Sequence, residues 1–435
     1  MSKRIKRALT ALLCALALAA ALLPSAHAPA SAQVAAKPAV NSKAASVAAA
    51  TEEVLRETSE IRQLAILRPV KSGAQSRAEI ERMLLKNLDE ETKPEEIRAN
   101  ELTLKKLGLI PADFQLRPFL VSVLTEQILG YYDPKSQTFY LADWIDLDGQ
   151  QPVISHELTH ALQDQHFDLK RFDHWKRGDA DAELAAHALV EGDATWEMTL
   201  YVLKDARRAL AMLKSVGSAQ TTKIDAAPQS LRASLLFPYE QGMNWARQLY
   251  QRGGWKAVDE AFTSLPQSTE QIIHPEKYFA HEAPARVDLP DLAPALGRGW
   301  RRIDYDVNGE WGYYLILNEF LKNDDESRRA AAGWGGDRYA LYENARTHET
   351  TLAQLSAWDT EQDAREFYDA YVKRTERRYG IRGSNQSTVG DDSAVNMFMT
   401  TDKSVAVVRR GSRVIVVEGA PQNIRLTTLL GKIWQ

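Results

Sequence analysis

The sequence predicts an α+β protein in which a mainly helical region with a small sheet precedes a smaller domain built on an antiparallel sheet. Three patterns support this prediction: charged helical periodicity over residues 51–108, an aromatic hairpin pattern at Ile128–Ala142, and short β-rich runs in the last third of the chain. At 435 residues the chain is too long to fold around one ordinary hydrophobic core, so more than one folded unit is expected.

The first 32 residues have the pattern of a bacterial signal peptide. A basic start precedes the uncharged apolar run Ala8–Leu23, and small residues lead to a preferred cleavage site after Ala32. The run is too short for a stable membrane span. We therefore expect export to the periplasm or the medium, with no stable membrane span once the segment is removed. Residues 33–50 are rich in Ala, Ser, Val and Pro, which predicts a disordered linker.

Residues 51–290 are predicted to form the first domain, which is largely helical. The hairpin within it turns at Asp133-Pro134-Lys135-Ser136. One helix is expected to open at Pro152 and to run through HELTHALQDQ, and a second to span about Ala180–Lys214, with Gly192 as its weak point. Whether residues 51–110 act as a propeptide is left open.

Residues 291–435 are predicted to form the second, α+β domain. The Pro/Leu/Ala-rich stretch 284–299 marks the boundary. An amphipathic helix is expected at Glu361–Arg377. The predicted antiparallel strands are Arg338–Glu343, Leu352–Trp358, Val395–Thr400, Ser404–Val408 and Arg413–Glu418.

Composition excludes several kinds of site. Cys14 is the only cysteine and lies in the predicted signal, so neither a disulfide nor a thiolate metal site is expected. Any metal must then be held by histidines and carboxylates. The net charge of -4 becomes more acidic once the basic signal is removed, and no basic run follows it. This argues against nucleic-acid binding.

The run His156-Glu-Leu-Thr-His160 carries the clearest chemical pattern. Two histidines four residues apart on a helix place both imidazoles on one face, where they can reach one metal ion. Glu157 lies beside them, placed to contact a water rather than the metal. The opposite face of this helix is apolar, as a buried active-site helix requires.

The chain resembles the zincin metallopeptidases at this segment. HELTHALQDQHFDL followed by ALVEGDAT is similar to gluzincin-type bacterial proteins, in which a glutamate on a later helix completes the metal site. The resemblance implies a Zn²⁺ ion bound by His156, His160 and Glu191. It also implies hydrolysis of peptide bonds in a peptide or protein substrate, by a zinc-activated water with Glu157 as general base.

One alternative to Glu191, His166, is considered as the third ligand, whereas His187 or Glu183 is expected to support a ligand by hydrogen bonds. Glu183, His187 and Glu191 are spaced four apart and form one polar stripe on an otherwise apolar helix. His166 stands where metzincins place their third ligand, although Gln163 replaces the glycine that allows their sharp turn.

Further side chains are expected to support the reaction. His187, Asp193 and Asp164 are predicted to hold the ligands in position by hydrogen bonds. His274, before a proline in TEQIIHPEKY, is a candidate donor to the developing oxyanion, with Tyr278 as second choice.

The preceding hairpin has an expected role as well. Gln137–Leu141 is predicted to be the edge strand that pairs with extended substrate, or else an ordinary core strand. Two other functions stay open: a cell-envelope binding protein on a retained zincin scaffold, and a zinc amidase acting on cell wall. The sequence gives no indication of the oligomeric state.

Overall fold

The computed structural model describes residues 40–435, apart from 92, 145–146, 176–177, 217–221, 383 and 389–392. Its helical N-terminal part and its C-terminal sheet confirm the predicted α+β class. The predicted signal peptide lies outside the described residues. No helix within the described part of the chain has both the length and the apolar character that a bilayer crossing requires.

The N-terminal part consists of helices around one small sheet. Its elements are α1 (Val40–Arg62), β1 (Lys71–Gln75), α2 (Arg77–Glu91), α3 (Pro94–Leu107), α4 (Leu116–Gln127), β2 (Gly130–Asp133), β3 (Thr138–Ala142), α5 (Leu147–Phe167), α6 (Ala180–Leu203), α7 (Ala206–Val216), α8 (Thr222–Asp225), α9 (Gln229–Thr263), α10 (Thr269–Ile273), α11 (Pro275–Phe279) and α12 (Ala293–Leu296). The helix predicted over about Ala180–Lys214 is therefore two helices, α6 and α7. The helix that contains the HELTH run, α5, begins at Leu147 rather than at Pro152.

Helix α1 corrects the prediction of a disordered linker over residues 33–50. Residues 40–50 form the first half of this helix, and the remainder of the predicted linker lies outside the described residues. The alanines that suggested a tether are also strong helix formers. Val47 is buried in a cluster that also contains Leu158 of α5, and this contact stabilises the helix.

The small sheet has the order β1-β3-β2. Strand β3 pairs in parallel with β1 and antiparallel with β2, so it is the central strand. The prediction that Gln137–Leu141 forms a free edge is therefore wrong. The hairpin itself is confirmed, and its other strand, β2, has the free edge. The error arose because β1 joins the sheet from more than 60 residues earlier in the chain.

Helices α6 and α9 cross at very close range. A Cβ added to Gly192 of α6 would lie 2.2 Å from the backbone of Gly242 in α9, and one at Gly242 would lie 2.2 Å from the Ala188 oxygen. Only glycine permits this approach at both positions. Gly192, predicted as the weak point of this helix, is therefore the residue at which α6 contacts α9. The crossing also brings Tyr239 of α9 beside His156, with ring centroids 6.3 Å apart.

The C-terminal part is a seven-stranded antiparallel sheet with the order β4-β5-β6-β10-β9-β8-β7. All five predicted strands are present within it, as is the amphipathic helix, whereas β4 and β7 were not predicted. The elements are β4 (Trp300–Asp306), α13 (Gly309–Leu321), α14 (Asp324–Ala331), β5 (Trp334–Asn344), β6 (Thr350–Trp358), α15 (Glu361–Tyr379), β7 (Ser384–Thr388), β8 (Ser393–Thr400), β9 (Lys403–Arg410), β10 (Arg413–Ala420) and α16 (Leu426–Ile433).

The two parts meet at the start of α13, where the Trp311 nitrogen donates to Thr269 Oγ1 at 3.2 Å and a buried aspartate lies on each side. Asp337 accepts hydrogen bonds of 3.0 Å from the backbone nitrogens of Asn308 and Gly309. Asp181 of α6 accepts from the Thr269 nitrogen at 2.9 Å. Gly309 has a φ of 72°, and a Cβ there would meet Asp181 at 1.7 Å, so this junction requires glycine on both counts.

Candidate metal centre

The two motif histidines converge on one point. His156 and His160 lie one turn apart on α5, and their Nε2 atoms are separated by 3.1 Å. Their rings are nearly perpendicular, at 85°. The buried back face of α5, with Ile154, Leu158 and Leu162, packs in one cluster with α1 and β3, which holds the helix in this orientation.

Glu191 of α6 completes a triangle with the two imidazoles. Its Oε2 lies 3.2 Å from Nε2 of His156 and 3.5 Å from Nε2 of His160. Tetrahedral zinc with N and O ligands separates neighbouring ligand atoms by about 3.3–3.5 Å. The observed spacings of 3.1–3.5 Å lie within about 0.2 Å of that range, so these three side chains can hold a metal ion.

The lowered pKa of the Glu191 carboxyl also indicates a site for a cation. Burial alone would raise the pKa of this carboxyl, but the charge of His160 and hydrogen bonds from His156, His160 and His187 hold it well below its ordinary value. The nearest partner of its other oxygen, Oε1, is His187 Nε2 at 3.4 Å, beyond good hydrogen-bond geometry. A wholly buried carboxylate faced only by imidazoles lacks the permanent cation that such a group normally requires.

The pKa values of the two histidines separate in the metal-free protein. Burial lowers the pKa of His156. Burial also opposes a charge on His160, but Glu191 outweighs it and raises the pKa of His160 to about 9. His160 therefore forms the ion pair with Glu191, and a bound metal ion would take the place of its proton.

Gln163 fixes the ring of His160. The Gln163 Oε1 lies 2.8 Å from His160 Nδ1, and its Nε2 donates to the Val190 oxygen at 3.0 Å and to Asp193 Oδ2 at 2.8 Å. With Nδ1 protonated toward Gln163, the Nε2 lone pair is left for a metal. In the sequence, Gln163 was noted only as the residue that replaces the metzincin glycine. Its position three residues after His160 on the same helix could have indicated a contact with that ligand.

Asp193 of α6 lies close to the ligand cluster. It reaches the ligands through Gln163 rather than by touching an imidazole. His187, the other supporting residue predicted on α6, lies beside the third ligand, with its Nε2 3.4 Å from Glu191 Oε1. Glu183, the first member of the polar stripe, is buried two turns from Glu191 and does not belong to the ligand cluster.

Glu157 is held by strand β2. The backbone nitrogen of Tyr132 donates to its Oε2 at 2.9 Å. The hydroxyl of the same tyrosine donates to Asp164 Oδ2 at 3.0 Å. Asp164, predicted to support a metal ligand, instead anchors the strand that holds Glu157, and it also pairs with Arg68 at 2.8 Å.

Two other predicted residues lie away from the ligand cluster. His166, the alternative third ligand, has its Nε2 2.7 Å from the Ala65 oxygen, so the metzincin-like arrangement is not formed. His274 has its Nε2 2.9 Å from Glu310 and its Nδ1 3.7 Å from Glu276. Its role as oxyanion donor stays a prediction. Tyr278 donates to the Ser264 oxygen at 2.8 Å.

The centre is closed in this conformation. His156, Glu157 and Glu191 are at most 1% exposed. A cleft of about 560 Å³ opens at the C-terminal end of α5, beyond Asp164. It is lined by Arg68, Gln137, Asp164, Gln165, His166, Phe167, Asp168, Lys170, Arg171 and Thr263. Since the ligands are covered, a substrate can reach Glu157 only after the covering side chains move.

A second acidic cluster, formed by Glu270, Glu282 and Asp359, already has its cation. The Nζ of Lys277 lies 2.8 Å from Glu270, 2.7 Å from Glu282 and 2.6 Å from Asp359. This cluster is therefore an ion-pair network and offers no free position for a metal.

Comparison with known proteins addresses only the C-terminal part. Residues 297–429 match a family model described as a domain of unknown function (DUF8575), which covers all seven strands of the large sheet and none of the candidate ligands. No curated protein and no solved structure matches the chain.

Proposed function

We propose that the protein is an exported zinc-dependent peptidase whose centre is formed by His156, His160 and Glu191. The observation that supports this most is the triangle of ligand atoms, with sides of 3.1–3.5 Å, around a buried carboxylate that lacks a permanent cation. Two imidazoles and one carboxylate are a known zinc donor set for hydrolysis.

The donor set favours zinc and leaves one position for water. Bound zinc supplies the means to lower the pKa of that water toward neutrality and to polarise a carbonyl group. The chain contributes the rest. Gln163 keeps the His160 ring in the orientation that exposes its Nε2, and His187 lies against Glu191.

Glu157 is the proposed general base. It follows His156 directly on α5, and the Tyr132 nitrogen donates to its Oε2 at 2.9 Å, which holds the carboxylate in place. A proton would pass from the attacking water to Glu157 and then to the nitrogen of the leaving amine.

The free edge of β2 supports a peptide as the substrate. Tyr132 directs its backbone nitrogen away from β3 and toward Glu157, so the polar backbone of this edge faces the centre. The Tyr132 nitrogen is taken by Glu157, and an extended peptide would pair as a further strand with the other backbone groups of this edge, beside Glu157. This assigns to β2 the role that the sequence suggested for Gln137–Leu141.

The test compares the wild-type protein with Glu157→Gln, with and without a zinc chelator. We expect both proteins to bind one zinc ion, and the variant to lose casein hydrolysis by about 10²–10⁴-fold, the usual contribution of a general base. Full activity in a zinc-loaded Glu157→Gln protein would exclude this mechanism. Hydrolysis of purified cell wall but not casein would indicate the amidase, and zinc binding with neither activity would indicate a binding protein.

A further inference from the structure

We infer that Arg62, at the end of α1, is a positioning residue for the metal centre. It acts on His160 through Asp193 and Gln163. The inference rests on the metal site proposed above but not on the reaction. It also makes the N-terminal helix a permanent part of the centre rather than a removable segment.

The Arg62 side chain is wholly buried, and contacts with two carboxylates and one aromatic ring fix its orientation. Its Nε donates to Asp193 Oδ1 at 2.6 Å, and one Nη donates to Asp259 Oδ1 of α9 at 2.7 Å. The guanidinium lies 4.4 Å above the ring centroid of Trp255, so one face is also fixed by a cation–π contact. A guanidinium offers only hydrogen-bond donors, so it fixes the position of Asp193 Oδ1 as an acceptor.

The hydrogen bond to Asp193 sets the orientation of the Gln163 amide. Asp193 Oδ2 accepts from Gln163 Nε2 at 2.8 Å, and this directs Gln163 Oε1 toward His160 Nδ1. If the amide were reversed, its NH₂ would face Nδ1 and favour the imidazole tautomer that carries hydrogen on Nε2. That hydrogen would occupy the lone pair that a metal needs. Arg62 thus acts on the availability of Nε2.

Helix α1 is attached to the centre at a second point. Thr58 and Ser155, adjacent to His156, share a hydrogen bond of 2.8 Å between their hydroxyls. Val54 and Leu55 pack in the same cluster as Leu158. Removal of α1 would leave the buried Asp193 carboxyl without its hydrogen bond from Arg62. Residues 51–62 therefore do not fit the role of a propeptide that is discarded on activation.

The experiment measures zinc affinity by competition with a chromogenic chelator in Arg62→Met, Arg62→Lys and Asp193→Asn. Loss of a partner that orients a ligand typically lowers affinity by about 10–100-fold. We expect a decrease in that range for Arg62→Met and for Asp193→Asn. Arg62→Lys should be intermediate, because it keeps the charge but loses the two-pronged geometry. In Asp193→Asn, Arg62 still has Asp259, so this variant guards against simple misfolding.

The matched control is Arg374→Met. Arg374 is also wholly buried and pairs with a carboxylate, Glu418, at 2.7 Å, but it lies in the C-terminal part. It should lower thermal stability and leave zinc affinity unchanged. Equal affinities in Arg62→Met, Asp193→Asn and wild type would overturn the inference. Because hydrolysis is not measured, this result is distinct from failure of the proposed function, in which the wild-type protein binds zinc and cleaves nothing.

Discussion

Two buried glutamates, one in each part of the molecule, show how differently the same residue can be stabilised. Glu418 of β10 accepts hydrogen bonds from Arg374 and Arg378 at 2.7 Å each, and from the Tyr371 hydroxyl. Burial would raise its pKa, but the two guanidinium charges outweigh this and lower it. Glu191 is equally buried, yet only imidazole nitrogens, at 3.2–3.5 Å, surround its carboxylate.

The two glutamates differ in whether the cationic partner of the carboxylate can lose its charge. Arginine keeps its charge at any pH a protein meets, so the Glu418 network is complete within the chain. Imidazole can give up its proton, whereas guanidinium cannot, so the pairing of Glu191 with His160 can be exchanged for binding of a metal ion. A buried carboxylate surrounded by exchangeable cations is a binding site, whereas one surrounded by arginines is a structural element.

The largest effect is expected when each glutamate is replaced by its neutral amide. Glu191→Gln should lower zinc affinity by more than about 100-fold, the upper range for loss of an outer partner. The metal-free protein should change little in stability, because His160 can release its proton. Glu418→Gln should do the reverse: unchanged zinc affinity and a loss of about 3–5 kcal/mol, since it leaves arginine charge buried.

Chelator competition and urea unfolding of the metal-free proteins measure these two quantities. The comparison fails if Glu191→Gln destabilises the metal-free protein as strongly as Glu418→Gln, or if both variants bind zinc like wild type.

A third wholly buried glutamate, Glu197, extends the comparison to a carboxyl without a paired cation. Its Oε2 accepts from Ser155 at 2.8 Å and from Thr159 at 3.1 Å, and its Oε1 has no partner within the described chain. Burial raises its pKa to about 8. The folded protein therefore binds this proton more tightly than the unfolded chain. Stability is fully present below the ordinary pKa near 4.5 and decreases as pH rises toward 8.

Glu197→Gln should remove this dependence. The slope it contributes is about 1.4 kcal/mol per pH unit between the two pKa values. We expect the variant to match wild type at pH 5 and to be the more stable protein at pH 9, as measured by urea unfolding. If the difference between the proteins did not change with pH, the carboxyl would not be protonated in the folded state.

The sequence predicted those parts of the site that depend on local spacing. His156, Glu157 and His160 share one helix, so their arrangement follows from helical geometry alone. Glu191 is 31 residues from His160 and was assigned through a resemblance, since no pattern links the two helices directly. The contact between Arg62 and Asp193 joins residues 131 apart, and nothing in either segment indicates the other.

The fold divides in the same way. The five predicted strands of the C-terminal sheet are marked by β-branched residues and turns, which act locally. The order of strands in the small sheet depends on β1, which lies far from the hairpin in sequence. Local composition also misplaced the start of α1, because an alanine-rich tether and an alanine-rich helix differ only in whether a residue such as Val47 finds a partner.

A smaller effect is expected from moving Glu191 without changing it. Gly192→Ala places a Cβ 2.2 Å from the Gly242 backbone, so α6 and α9 must separate. Overpacking of this kind costs about 1–3 kcal/mol, and the ligand next to it should shift, with weaker zinc binding.

Gly431→Ala is the matched control: its Cβ would meet nothing within 4 Å, and helix α16 should gain about 0.5–1 kcal/mol. Thermal unfolding with and without zinc measures both. A Gly192→Ala protein as stable as wild type would mean that the crossing relaxes freely.

The smallest effect tests Glu157, the remaining buried glutamate of the centre, which is anchored by a neutral backbone group. Tyr132→Phe removes the hydrogen bond to Asp164 and keeps the nitrogen that binds Glu157, at a cost of about 1 kcal/mol. If Asp164 positions this strand, kcat should fall several-fold while zinc affinity stays constant. Tyr278→Phe removes a comparable bond, to the Ser264 oxygen, and should change stability alone. Equal kcat values in the two variants would show that β2 holds Glu157 without help from Asp164, and the anchor would then be the backbone of the hairpin itself.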